Sequence, residues 1–357
     1  MVVCPARKEI ASATCACATT CWPSTLRSLI GSDLPSRAWA RQRECGDPGL
    51  DVVTEVWERH RRLGISVLWR EHPSFPKRLA GFPRSPAVLF CLGDPSALST
   101  AVATVALVGT RAPTRYGIGV AAQFAADLSA AGVSVVSGLA LGIDGAAHEG
   151  ACGAGAPPIG VVAGGLDTPY PSRHARLWSR VAEQGVIVSE SPAGVRTEKW
   201  RFPVRNRLLA AVSDVVVVVE SRHLGGSRHT VDAAMHQGVP VGAVPGSIRS
   251  PTSEGTNALL ADGAFPVCST GDILVALSLT GAPVPTVLAA AAHHASPRRP
   301  PRAGRERQVY DALSYDATSL DELARLTGLG FTALCGTLEG LAQAGLARDS
   351  GGWWERV

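Results

Sequence analysis

The sequence predicts a Rossmann-like, doubly wound α/β core with a mainly parallel sheet, followed by a C-terminal winged-helix domain. Three observations predict it. From Val102 onward, near-continuous Val-rich runs alternate with amphipathic stretches; strands apolar on both faces belong in a parallel sheet covered by helices. Clusters of Gly, Ser and Pro follow each run, as the turns of such a sheet require. Beyond a Pro- and Arg-rich break, the tail reads as three short helices and a hairpin.

The elements follow in order. A helix is expected over Asp51–Leu63, with Val52, Val53, Val56 and Trp57 on one stripe. Ile65–Trp69 and Ala87–Leu92 are short apolar runs that bracket a Pro-punctuated lead-in. Core strands are expected at Val102–Val108, Val133–Val136, Ile159–Ala163, Val186–Val188, Asp214–Val219 and Val239–Val244. The helices between them are expected near Gly119–Ala131, Asp144–Gly153, Ser172–Gln184, Arg205–Val212 and Thr230–Gln237. In the tail, Arg307–Leu313, Leu320–Leu326 and Phe331–Ala344 read as helices. The second opens on Ser319-Leu-Asp-Glu322, a capping box, and Gly351-Gly352 turns the hairpin. The expected domains are a short N-terminal helical region (1–68), the core (69–280), a basic Pro/Ala/Arg linker (281–304) and the winged helix (305–357).

Composition narrows the function classes. The chain has 357 residues, 46% hydrophobic and 18% charged, with 38 Gly and 25 Pro, which suits a small-residue-rich α/β protein. A formal charge of +4 over this length says little, so the distribution of cations has to carry any argument about a polyanion. Nine cysteines follow no disulfide framework. Cys15, Cys17 and Cys21 cluster without a Cys-x-x-Cys pair or matching His spacing, so free thiols are expected and no metal. With no signal-peptide pattern and no membrane-length apolar run, the expected location is the cytoplasm.

In an open parallel sheet, ligands collect beyond the carboxyl ends of the strands. Here those ends run into Gly109-Thr-Arg-Ala-Pro-Thr-Arg-Tyr-Gly117, Ser137-Gly-Leu-Ala-Leu-Gly-Ile-Asp144, Gly164-Gly-Leu-Asp167, Ser189-Glu-Ser-Pro192, Glu220 with Gly225-Gly-Ser-Arg-His-Thr230, and Pro245-Gly-Ser247. Glycines, hydroxyls and helix N-termini make these loops fit for phosphate. A dinucleotide is not the phosphate expected. Gly117-Ile-Gly119-Val-Ala-Ala122 matches the glycine fingerprint, but its glycines lie too far from the strand end. Ser137-Gly138 also stands where a ribose-binding carboxylate belongs.

The cations favour a longer polyanion. Lys199, Arg201, Arg205 and Arg207 interleave with Trp200 and Phe202, while Arg111, Arg115 and Arg228 come from other loops of the same edge. Cations around aromatics suit a single strand whose phosphates are neutralised and whose bases stack. The competing reading packs both aromatics in the core and leaves the arginines as a solvated face; placement at the ligand edge favours the first. Asp144 and His148 stand four apart at a helix start. A capping carboxylate and a hydrogen-bonded histidine account for them better than acid–base chemistry. Asp167, Glu190 and Glu220 form no spaced metal-ligand set.

The ordered motifs resemble one family. Val108–Gly117, Ser137–Asp144 with Ala147-His148, Gly164-Gly-Leu-Asp-Thr-Pro-Tyr-Pro171, Ser189–Pro192, Phe202-Pro-Val-Arg-Asn-Arg207, and Val244-Pro-Gly246 with Gly255-Thr-Asn257 are similar to the bacterial DNA-processing protein A (DprA/Smf) family, over about Trp69 to Val267. The resemblance implies a core that binds single-stranded DNA, dimerises and helps load the RecA recombinase during natural transformation, with no catalytic activity and no cofactor. Residues matched to its pocket are Arg111, Arg205, Arg207, Ser227 and Thr230, with Phe202 as a base-stacking aromatic and Lys199 in the basic approach. The full expected DNA-binding set adds Gly109, Thr110, Arg115, Ser137, Gly138, Asn206 and Arg228. Thr110 stands where the family usually has Ser, and Gly226-Ser-Arg-His-Thr230 replaces a more apolar pattern. The family's N-terminal helical domain is short or degenerate here.

The expected protein is therefore a non-enzymatic single-strand binder acting as a homodimer. The enzyme alternative is a nucleoside-monophosphate phosphoribohydrolase. Its Pro-Gly-Gly-x-Gly-Thr-x-x-Glu loop has only a partial echo in Gly225–Asp232, without the Glu. A scaffold that recruits recombinase with little DNA contact is a third class. The tail's third helix has no basic residue between Phe331 and Ala344, so a partner or dimer role is expected of it rather than base reading.

Overall fold

The computed structural model describes residues 58–70, 72–82, 85–223, 225–283, 300–315, 317–349 and 351–356. The cysteines before Glu58, the first half of the Asp51–Leu63 helix and most of the linker lie outside them. Residues 58–62, the end of that helix, are helical. The chain divides into two compact units, the α/β core and a second that comprises Ala289–Val357 together with the short stretch Thr114–Tyr116.

The core is built on nine strands: β1 (Ile65–Trp69), β2 (Val88–Gly93), β3 (Thr104–Val108), β4 (Ser134–Ser137), β5 (Ile159–Val161), β6 (Val186–Ser189), β7 (Val215–Val218), β8 (Val241–Ala243) and β9 (Phe265–Pro266). They lie in the order β1-β2-β6-β5-β4-β3-β7-β8-β9. Strands β3 to β9 pair in parallel, and β1 and β2 add an antiparallel edge beside β6. The chain winds outward from β3 to β6, returns to β7 and winds the other way. The strand order therefore reverses between β3 and β7, and the crevice of a doubly wound sheet opens there.

Alternation along the buried strands feeds two layers. Ala106, Val108, Val216 and Val218 pack toward Leu208, Leu209, Val231 and Ala234. Val105, Leu107, Val215 and Val217 pack toward Phe124, Leu128, Ile143 and Ile273 on the other face. The helices supplying these faces are α1 (Arg115–Ala130), α2 (Ile143–Ala151), α3 (Ala175–Gln184), α4 (Arg201–Ala211), α5 (Arg228–His236), α6 (Glu254–Ala261) and α7 (Thr270–Leu279).

The strands are shorter than expected because their ends continue as extended chain held by single bonds, such as Val219 N–H to Val108 O (3.0 Å) and Val244 N–H to Val218 O (3.0 Å). Two helices start a turn earlier than expected. In α4, Pro203 falls in the first turn, where a missing N–H costs nothing. Helices α6 and α7 and strand β9 had no expected counterpart. The complete capping box belongs to α7, where Ser269 and Asp272 bond reciprocally. Strand β1 belongs to the core sheet and crosses the expected boundary at residue 68.

The second unit holds α8 (Gly304–Ala312), α9 (Leu320–Thr327), α10 (Phe331–Gln343), and β10 (Thr318–Ser319), β11 (Ala347–Asp349) and β12 (Trp353–Arg356) in a small antiparallel sheet. Val309, Leu323, Leu334, Leu338 and Trp354 form its core. Gly351 and Gly352 both take positive φ (68° and 85°) at the hairpin turn, as expected. At Ser319 the hydroxyl accepts from Glu322 N–H (3.2 Å), which is the forward half of the expected box. No helix among the described residues is long and apolar enough to cross a membrane.

Candidate nucleic-acid interface

The first loop at the switch point leaves β3 at Gly109. A Cβ there would stand 2.6 Å from Ile143 Cγ1 and 2.7 Å from Glu220 O, so only glycine fits between α2 and the end of β7. Thr110 then bonds both neighbours: its N–H donates to Glu220 O (2.8 Å) and its carbonyl accepts from Ile143 N–H (3.2 Å). With its backbone pinned on both sides, Arg111 projects from the loop. It is exposed, and its guanidinium lies 4.6 Å from the centre of the Phe202 ring. Tyr170, from the loop after β5, tilts against the same ring at 5.9 Å and is 49% exposed. Trp200, 51% exposed, stacks under Arg201 (4.4 Å), and Lys199 beside it is exposed. Cations and aromatic faces thus share one edge of the sheet.

Beneath this surface lies a sealed layer. Arg205, 5% exposed, donates from Nη1 to Val161 O. Asp144, 7% exposed, accepts from Gly138 N–H (3.1 Å). Gly138 separates the two, and a Cβ there would collide with both the guanidinium and the carboxylate. Burial raises the Asp144 carboxyl, with Arg205 as the main opposing influence. Burial likewise lowers Arg205 to about 10, opposed by Asp144. Asp144 therefore ties its own helix to the preceding loop, where a capping bond within α2 had been expected. Next in this loop, Leu139 holds a left-handed φ of 54°, kept by its buried side chain and a bond between its carbonyl and His174 Nδ1 (3.0 Å).

His148, fully buried, has no hydrogen-bond partner of good geometry at either ring nitrogen among the described residues; the expected bond across the helix is not made. Burial pushes it down to about 4, with His174 and Arg205 acting the same way against the Ser137 backbone. Neither Asp144 nor His148 is placed to reach a substrate.

The expected residues thus separate by depth. Arg111, Arg115, Lys199, Phe202 and Arg228 reach or partly reach the surface. Arg205, Asn206, Ser137, Gly138, Ser227 and Thr230 are buried. Ser137 spends its hydroxyl on Leu107 O (2.6 Å), binding β4 to β3. Ser227 pairs with Ser221 (2.7 Å), and Arg207 is committed to Glu190. Gly109 and Thr110 shape the first loop. Tyr170 was not in the expected set; Trp200, read as one of the interleaved aromatics but left out of that set, is exposed. The pairing of Tyr170 with Pro171 marked a turn, but nothing in the sequence set that turn beside Phe202.

A second carboxylate fills the usual phosphate seat of this fold. Glu220, 2% exposed, rests against Gly117 in the first turn of α1. Orphan N–H groups and the positive end of the helix favour an anion there. The protein's own side chain supplies it.

A family model for DNA recombination-mediator protein A matches residues 66–278, and a DprA winged helix domain matches residues 293–349. The chain belongs to the DprA/Smf family. It is 41% identical over 340 residues to a putative DNA processing protein DprA of Mycobacterium tuberculosis, covering 92% of this chain and 85% of that one. It is 37% identical over 221 residues to the DNA processing protein DprA of Bacillus subtilis, covering 62% and 74%. DprA from Streptococcus pneumoniae superposes with a TM-score of 0.60 at 27% identity, over 75% of this chain and 92% of that one. DprA from Helicobacter pylori, whose structure was described for its single-stranded DNA binding mode, gives 0.55 at 31% identity, over 60% and 96%. The fold and the winged helix are those expected of the family.

The buried histidine carries a pH prediction. Its folded value of about 4 lies below the ordinary 6.5, so the unfolded chain binds more protons between these values. Stability should fall as pH drops through that window, by about 3 kcal/mol at its lower end. Asp144 acts with the opposite sign, so the test is the difference between wild type and His148→Gln. The variant, which cannot titrate, should show a flatter curve of unfolding midpoint against pH from 6.5 to 4. An unchanged slope would mean that His148 is not the group responsible.

Proposed function

We propose that the chain is a non-enzymatic single-stranded DNA-binding protein of the cytoplasm. On this reading it protects incoming DNA and helps load RecA recombinase in transformation and recombination. The observation that carries the reading is the stack of exposed Arg111 on half-buried Phe202 at the switch point, with Tyr170 against the same ring, and exposed Lys199 and Trp200 just before it in the chain. A guanidinium over an aromatic face offers phosphate pairing and base stacking from one place. The occupied N-terminus of α1 supports it further, because a mononucleotide phosphate finds Glu220 already in its seat. Against the hydrolase alternative, its loop Glu has no counterpart in Gly225–Asp232, and Asp144 and His148, the pair first weighed for acid–base work, are sealed. The DNA-facing set on this reading is Arg111, Arg115, Lys199, Phe202 and Arg228. Gly109, Thr110, Ser137, Gly138, Arg205, Asn206, Arg207, Ser227 and Thr230 build the floor that holds it.

We further propose a homodimer. Val275 and Leu279, one turn apart on α7, are 60% and 83% exposed, and a second copy of this face would remove both from water. The winged helix suits a protein partner. The exposed part of α10 carries Phe331, Thr332, Gly336, Glu339, Gly340 and Gln343, with no cation to meet phosphate.

Three measurements test these readings. In fluorescence anisotropy the protein should prefer a labelled single strand to duplex, with affinity falling steeply as salt rises. Arg111→Ala should lower affinity about fivefold at 0.1 M salt, and Phe202→Ala should cost about 1–3 kcal/mol of stacking. Equal binding of both forms without a salt slope would overturn the reading. Adding the protein to RecA and single strands should shorten the lag of filament assembly; an unchanged lag removes the loading role. Leu279→Glu should shift the sedimenting species from dimer to monomer, and a wild-type profile would place the dimer contact elsewhere.

A further inference from the structure

The edge that carries Arg111 does not end there. Beyond β3 it continues through β7 and β8, and the loops leaving those two strands are bonded into one piece. Ser221 N–H donates to Thr252 O (2.8 Å) and Gly255 N–H to Ser221 O (2.8 Å). The Thr252 hydroxyl donates to the buried Glu220 carboxylate (3.4 Å). Asn257 clamps Gly246 from both sides, accepting from its N–H (3.2 Å) and donating to its carbonyl (3.0 Å). At Gly255 a Cβ would stand 2.6 Å from Arg222 O, so the two loops touch backbone to backbone.

This platform carries side chains that its own bonds do not use. Arg222, Arg228 and Arg249 are exposed, and none of the three enters an ion pair with another described residue. Beside Arg249 in the chain stands Ile248, 90% exposed on a loop whose turn is set by Arg249 N–H bonding the Ser247 hydroxyl (3.2 Å). A rigid loop holding one aliphatic side chain in water among unpaired guanidinium groups matches a ligand that alternates anionic and flat apolar surfaces. The platform begins one strand spacing from the Arg111 loop and ends two away, about 10 Å, on the same edge. That continuity favours a polynucleotide over an acidic protein.

We propose that the β7–β8 platform is a second anchorage for the strand already held at Arg111 and Phe202. In it, Arg222 and Arg249 pair with phosphates, and Ile248 wedges against a base. The proposal rests on the reading of the Arg111 groove, and its consequence is length dependence. A short strand fills the Arg111–Phe202 part alone, whereas a longer one runs on to the platform.

The test uses the full chain with a labelled thymidine trinucleotide and a labelled thymidine dodecamer. The double substitution Arg222→Ala/Arg249→Ala should weaken dodecamer binding about 25-fold at 0.1 M salt, near fivefold per lost phosphate contact, and reduce the salt slope by about 1.4. Trinucleotide binding should stay at the wild-type level. Ile248→Ser should weaken dodecamer binding without changing the slope. All three positions are exposed, so the thermal midpoint should not move. Wild-type dodecamer affinity and slope in the double variant, with both oligonucleotides weakened in Arg111→Ala, would overturn the second anchorage and leave the groove standing. Normal binding by Arg111→Ala would remove the groove itself. A double variant that loses a labelled polyglutamate peptide but keeps the dodecamer would overturn the proposal in favour of an acidic protein partner.

Discussion

A guanidinium out of water at the carboxyl edge of the sheet constrains everything built around it. Removing a charge from water costs several kcal/mol unless its surroundings answer it. Arg205 is answered by the carbonyl of Val161 at the end of β5 and, across Gly138, by the carboxylate of Asp144 on α2. That carboxylate in turn holds the Gly138 N–H. One side chain of α4 therefore fixes the ends of β4 and β5 and the start of α2 relative to one another. Phe202 precedes Arg205 by three residues and lies on the same side of α4, so the buried anchor also aims the aromatic that meets Arg111.

A second carboxylate governs the other half of the crevice. Doubly wound proteins that bind dinucleotides seat a pyrophosphate at the helix following the first strand. Glu220, reaching from the end of β7 to Gly117, fills that place from within. The same group accepts the Thr252 hydroxyl, so it also ties in the loop beyond β8. With the inner seat taken, an anion arriving at the switch point meets the outer rim, where Arg111 stands. The glycine pattern at Gly117–Ala122 fails as a fingerprint for a geometric reason as well as a spacing one.

The sheet was legible because strands buried on both faces have to be apolar throughout, and Val215–Val218 advertises that directly. The winged helix was legible for a similar reason, since Leu334, Leu338 and Leu341 repeat with helical period. Depth at the site was harder. A residue just past a strand end is known to lie at the ligand edge, yet whether it faces outward depends on a few backbone angles, here the positive φ of Leu139 and Gly142. Ser137 and Arg205 were expected at the surface and are sealed. For Arg205 a signal existed, because it shares a helical stripe with Leu208, Leu209 and Val212, all buried. Proximity to Lys199 and Arg201 outweighed it. Helices α6 and α7 went unseen because small and apolar residues surround them on most sides, leaving little contrast to read.

The chemistry left exposed differs in kind from the chemistry kept inside. Asp144 and His148 are buried, while the rim presents guanidinium groups, an ammonium and aromatic faces together with the exposed imidazoles of His223 and His229. In the proposed function each cation of the rim holds a phosphate and each aromatic a base, weakly and separately. Under the proposed reading this is what handing on a strand requires. A single deep pocket would release its ligand all at once or not at all. A row of separate contacts, each phosphate contact worth about fivefold at 0.1 M salt, can be surrendered one at a time to a partner advancing along the same strand. The rigid floor lets that happen without unfolding. Because Arg205, Asp144 and Glu220 hold the loops through bonds within the protein, on this reading the rim keeps its geometry as each contact is lost, and the strand can be peeled away by competition alone.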